Sequence, residues 1–186
     1  MQCSGKLLYE TYDGIRNKLS GDVTLAEKSL KSINFKGKIK FDLLKSDIVV
    51  LKGKVSGDEI IAEALELSGK VFTKKICAND VRIKFGSTSV IGEIDAKHKV
   101  KVSKRGEFRI DDLDINIGQF HLSVKGNNKI GKDDVQSIQI DSIVADIVDV
   151  DGCTINKVKC RKLIAKDCVI RSLSAETQDI INSKID

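Results

Sequence analysis

Residues 54–102, KVSGDEIIAEALELSGKVFTKKICANDVRIKFGSTSVIGEIDAKHKVKV, repeat one short apolar phrase three times. The phrase runs Ile60, Ala62, Leu65, Leu67, Val71, then Ile76, Ala78, Val81, Ile83, then Ile94, Ala96, Val100, Val102. Apolar residues one apart, a gap, and another such pair read as short strands whose alternate side chains face one way. A unit of about sixteen residues buries too little surface to stand alone, so copies must stack on one another. The expected fold is therefore all-β, a single-stranded parallel β-helix or β-solenoid with about 15–17 residues per turn.

Working back toward the N-terminus, Gly5, Gly21, Gly37, Gly53 and Gly69 recur at one constant interval. The second residue after each is apolar: Leu7, Val23, Ile39, Val55 and Val71. Leu19, Phe35, Leu51, Leu67 and Ile83 form a second such column, and Ile33, Val49, Leu65 and Val81 a third. Glycine suits a corner, because a tight bend often needs positive φ, which costs a residue without Cβ nothing sterically. The first turn puts Asn17 where later turns are apolar and carries both tyrosines, Tyr9 and Tyr12, which marks it as a cap or an end-contact surface.

Working forward, the interval loosens after Gly86, and the extra residues are expected at corners. Residues 106–142 are expected to form irregular, wider turns, since Leu113, Ile115, Ile117 and then Phe120, Leu122, Val124 still alternate. GNNKIGKDD at 126–134 has the chemistry of an exposed loop. From 143 to 186 a second, tighter register of about fifteen residues takes over. Ile143, Val158 and Leu173 form one column, and Ala145, Cys160 and Ala175 another. Ile155, Ile170 and Ile185 form a third, and Cys153, Cys168 and Ser183 a fourth. The whole chain, 1–186, reads as one continuous solenoid. At the ~4.8 Å spacing of neighbouring strands, about eleven turns would make a rod roughly 50 Å long.

Composition narrows the function classes. Proline is absent and no Ser/Gly-rich run marks a linker; aromatics are only 4%, as expected where mid-sized aliphatic side chains stack in thin layers. With 32 basic and 27 acidic groups, the net charge of +5 is a modest excess. No apolar run reaches the length of a membrane span and MQCSGKLLYE lacks the apolar core of a secretory signal, so a cytoplasmic location is expected. Five cysteines without paired spacing fit reduced, buried thiols, and neither a zinc set nor any other cofactor site is expected.

No nucleophile stands beside a base, and no glycine loop could cradle phosphate. His98 and His121 are isolated from one another, and the aspartates at 111, 112, 114, 146, 149 and 151 alternate with inward residues. No catalytic residue, enzyme activity or small-molecule substrate is expected. Cys153, Cys160 and Cys168 read as a buried thiol ladder, with a redox-sensitive pair across turns as the alternative. The residue after each corner glycine is Lys38, Lys54 or Lys70 in three successive turns, which would line one edge. Such a stripe could meet an anionic surface or simply be solvated; without interleaved aromatics, nucleic acid is not the expected partner.

The run SDIVVLKGKVSGDEIIAEALELSGKVFTKKICANDVRI (46–83) resembles the bactofilins, bacterial polymer-forming cytoskeletal proteins, and their longer relatives in Firmicutes. Gly53, Val55, Ile60, Ala62, Leu65, Leu67 and Gly69 carry the likeness, which extends loosely over residues 3–125. IVADIVDVDGCTINKVKCRKLIAKDCVI (143–170) looks like the C-terminal extension of those longer relatives. The resemblance implies a right-handed β-helix that associates end to end without nucleotide, a cytoplasmic scaffold often near the membrane. Its partners would be further copies of itself, with a membrane surface or recruited proteins beyond them. Leu7, Leu8 and Tyr9 at one end and Ile180, Ile181 and Ile185 at the other are the residues expected to make those contacts, because open coil ends expose strand edges. The competing reading is a binding or adhesin-type solenoid at the cell surface, which cell fractionation would distinguish.

Overall fold

The computed structural model describes residues 18–25, 28–104, 113–117, 120–124 and 137–186, with side chains described over 32–104 and 137–186. Within these residues the chain is strand almost throughout, wound as a parallel β-solenoid. β1 (Lys18–Leu25) pairs in parallel with the start of β2 (Lys28–Phe85), with Leu19 against Phe35 and Gly21 against Gly37. β2 is 58 residues long because its ladder continues through the corners, winding turn on turn. β3 (Ser89–Lys104) lies parallel below it, with Ile76 against Ile94 and Val81 against Val100. The looser spacing seen in the sequence enters here as a register shift between Ala78 and Asp80, a bulge that absorbs an extra residue without disturbing the inward columns.

The tighter register follows. β6 (Ile138–Asp151) and β7 (Cys153–Lys166) pair with Ile143 against Val158 and Ala145 against Cys160. β9 (Leu173–Ile181) then stacks on β7, and β10 (Lys184–Ile185) on β8 (Val169–Ile170). One inward column can thus be followed from Phe35 through Leu51, Leu67, Ile83, Val102, Val150 and Ala165 to Ile180. Burial alternates along β3, β6 and β7; in β7, Cys153, Ile155, Val158, Cys160, Leu163 and Ala165 are buried while Asn156, Lys157 and Lys159 are exposed. These inward aliphatics form a single core running along the axis.

Within the stretch expected to form wider turns, the described residues 113–117 and 120–124 do something else. β4 (Leu113–Ile117) and β5 (Phe120–Val124) pair antiparallel, Ile115 against Leu122, as a two-stranded sheet of their own. β3 pairs directly with β6, Ile91 against Ile140 and Val102 against Val150, so the coil resumes where it left off. Among the described residues the stack accordingly has fewer than the about eleven turns expected.

The corners show why particular residues stand there. Gly37, Gly53 and Gly69 have φ of 144°, 122° and 115°. A Cβ on Gly53 would fall on the Gly37 carbonyl oxygen, and one on Gly69 on the Gly53 carbonyl oxygen. The glycines are stacked so closely that only hydrogen fits between turns. In the tighter register the bend is different: Gly152, Asp167 and Asn182, each one turn from the next, have φ of 67°, 51° and 48°. This is the left-handed region, which Asp and Asn tolerate better than other side chains.

Candidate functional site

Three features are built from the residues singled out in the sequence: the coil end, the thiol corner and the lysine edge. At the coil end the inward columns reach Leu173, Ala175 and Ile185, which are only half-buried, and Ile180, which is 37% exposed. Their counterparts one turn earlier, Val158, Cys160, Ile170 and Ala165, are all buried. Ile181 differs from Ile180: it stacks on the outward Lys166 and is 48% exposed, so it belongs to the outer surface and not to the core column. Among the described residues β9 pairs only with β7, so its other edge carries unpaired backbone groups. Leu7, Leu8 and Tyr9 lie outside the described residues.

Cys153 and Cys168 lie one above the other at a corner, both 2% exposed. Their sulfurs do more than fill space. The Cys153 N–H donates to Cys168 Sγ at 3.4 Å, and Cys168 Sγ donates to the Lys166 carbonyl at 3.1 Å. Ser183 repeats the arrangement in the next turn, accepting from the Cys168 N–H at 3.0 Å and donating to the Ile181 carbonyl at 2.9 Å. Ser89, in the same column, accepts from the Val71 N–H at 3.0 Å and donates to the Ser87 carbonyl at 3.1 Å. Each side chain therefore satisfies a backbone donor of the turn above where the bend has taken the usual carbonyl away.

The side chain of Cys153 beside it, joined by backbone N–H groups, holds the Cys168 thiol down to about 7, against the effect of burial. The same interaction, with burial, pushes Cys153 well above its ordinary value. Cys160 is buried elsewhere in the coil and is raised by desolvation. Cys77, Cys153, Cys160 and Cys168 are all free thiols.

Along the glycine corner the structure brings Lys38, Lys54 and Lys70 into one column, with Lys38 and Lys54 exposed and Lys70 half-buried. Lys70 Nζ sits 5.2 Å from the centroid of the Phe72 ring. Sequence reading missed a second row on the other side of the glycines, Lys36, Lys52 and Lys84, although the repeated Lys-Gly-Lys at 36–38 and 52–54 was the available signal.

His98 Nδ1 lies 3.5 Å from Asp80 Oδ2, and both side chains are exposed. No group of three or more His, Cys, Asp or Glu side chains that could hold a metal occurs among the described residues, and no helix there is long and apolar enough to cross a membrane. A shallow groove of about 320 Å³ follows one face past Ile48, Ala64, Asp80, Arg82 and Lys99. No family model, curated protein or solved structure matches the chain.

Proposed function

We propose that this protein is a non-enzymatic scaffold that associates with copies of itself through the ends of its solenoid, in the manner of the bactofilins that its sequence resembles. The observation that carries this reading is the change in burial at the last described layer, where Leu173, Ala175, Ile180 and Ile185 stand half-covered beneath a fully buried core. An aliphatic layer with an unpaired parallel edge is a template for another layer of the same kind. A second copy supplies one, adding backbone hydrogen bonds and covering the apolar columns together. No nucleotide is needed, since the driving force is burial and edge pairing.

The role of Ile180 follows from its place in the inward column. Analytical ultracentrifugation of the purified chain should show concentration-dependent assemblies, extended in electron micrographs. Leu173→Glu combined with Ile180→Lys should reduce them to monomer while leaving the far-ultraviolet circular dichroism unchanged. Monomeric wild-type protein at every concentration, or an unaltered distribution in the variant, would overturn the reading.

A further inference from the structure

Cys153 and Cys168 are a full turn apart in the chain and neighbours in space. Thr154 pairs with Val169 and Ile155 with Ile170, which sets the two cysteines, one residue earlier, opposite each other across neighbouring strands. Such strands lie about 4.8 Å apart, inside the range of about 4.4–6.8 Å between Cα atoms that a disulfide spans. Both side chains face the core, and Cys168 Sγ is 3.4 Å from the Cys153 backbone nitrogen. The other described thiols have no such neighbour: Cys160 stands between Ala145 and Ala175 in its column, and Cys77 pairs with Asp95.

We propose that Cys153 and Cys168 are a modification site for hydrogen peroxide, which joins them in a disulfide that staples two successive turns of the coil. The thiolate is the form that attacks peroxide, and Cys168, held down to about 7, supplies it, whereas Cys153 keeps its proton. The Cys168 thiolate takes one oxygen as the O–O bond breaks, becoming a sulfenic acid and releasing hydroxide, which recovers as water the proton that the thiol gave up. The Cys153 sulfur then attacks the Cys168 sulfur. An S–S bond forms, the S–O bond breaks, and the departing hydroxide leaves as water with the Cys153 proton. Two thiols are oxidised to one disulfide, and one peroxide is reduced to two waters.

The surroundings tolerate the change. Closing the bridge removes the S–H donations from Cys168 to the Lys166 carbonyl and from Cys153 to the Asp151 carbonyl. The Lys166 carbonyl still accepts from the Gly152 N–H at 2.9 Å. The pair is buried, yet its cover is thin. Cys168 lies between exposed Asp167 and Val169, and among the described residues one turn is stacked over it, with half-buried Ser183 between exposed Asn182 and Lys184. A turn with so little buried surface opens locally more readily than the coil interior, which suffices for a molecule the size of peroxide. The bridge forms within one chain and needs no self-association.

The test exposes the fully reduced full chain to hydrogen peroxide without denaturant, removes the peroxide with catalase, and blocks remaining thiols with N-ethylmaleimide in urea. After trypsin, mass spectrometry should find the peptide 133–157 joined to 167–171, from protein that runs as a monomer on a non-reducing gel. Cys77 and Cys160 should carry the maleimide, and dithiothreitol should undo the link. Cys160→Ala should leave the yield unchanged, whereas Cys153→Ser and Cys168→Ser should each abolish it. Cys168 recovered as free thiol, or as sulfinic acid without the link, would overturn the proposal. So would a link to Cys77 or Cys160, or one that forms only when peroxide is added in urea.

Discussion

At the scale of single residues, two kinds of corner make different demands. Gly53, at φ 122° and pressed against the Gly37 carbonyl, has no room for any side chain. Gly152, at φ 67°, occupies the position that Asp167 and Asn182 hold one and two turns later. Its Cβ would meet the flexible end of the Lys104 side chain instead of backbone. Gly152→Asn should therefore change stability by less than about 1 kcal/mol, whereas Gly53→Asn should cost at least about 1–3 kcal/mol. Urea unfolding of the two variants makes the comparison. Cys168→Ser should be tolerated because Ser183 and Ser89 already serve the same bonds. Cys168→Ala should cost about 1–3 kcal/mol, since it orphans the buried Cys153 N–H.

The thiols also set a pH dependence. Cys153 and Cys160 have folded-state values above the ordinary 9.0, so the native chain keeps protons that the unfolded chain releases. Their contribution is complete below pH 9 and lost as pH rises beyond it. Cys168, held down to about 7, works the other way: its contribution is complete above pH 9 and lost as pH falls toward 7. Thermal unfolding midpoints should fall above pH 9, and Cys153→Ser with Cys160→Ala should flatten that decline.

At the scale of elements, periodicity exposed the columns and concealed direction. Val55 and Val71, or Ile155 and Ile170, stack as their spacing required, because an inward column in a coil leaves a strict interval in the chain. Leu113, Ile115, Ile117 and Phe120, Leu122, Val124 alternate with the same period of two, and that period is identical in a coil and in a hairpin. Only the pairing partner differs, and no residue in the stretch announces it. The staple function of Cys153 and Cys168 was likewise hidden, since a buried thiol reads as a small hydrophobe until the backbone donor above it is seen. The Gly152, Asp167, Asn182 column was legible in principle, being three residue types that accept the left-handed region.

Because Val102 pairs with Val150 and Ile138 with Cys153, Lys104 and Ser137 are placed almost as consecutive residues of one coil. Excising residues 105–136 and joining Lys104→Gly to Ser137 should therefore leave a folded solenoid with unchanged far-ultraviolet circular dichroism. Collapse of the β signal on excision would show that the hairpin supports the stack.

At the scale of the whole molecule, the architecture was readable and the surfaces were readable in part. Lys38, Lys54 and Lys70 were placed on one edge from spacing alone, whereas the ion pairs that cross from turn to turn, Lys74 with Asp58 and Lys101 with Asp149, required the register. Ile180 and Ile181 are adjacent in sequence and apolar alike; the register assigns one to the core column and the other to the exterior. Apolar content alone cannot separate them.

The join between β3 and β6 has a kinetic consequence. Among the described residues the other strand pairings of the stack each close a loop of one short coil, whereas Ile91 must find Ile140 across the intervening hairpin segment. Loop closure entropy rises with length, so the two stretches of coil should zip up separately and meet late in folding. Pulled from its ends, the rod should part first at that seam, giving two shorter spools before either unwinds.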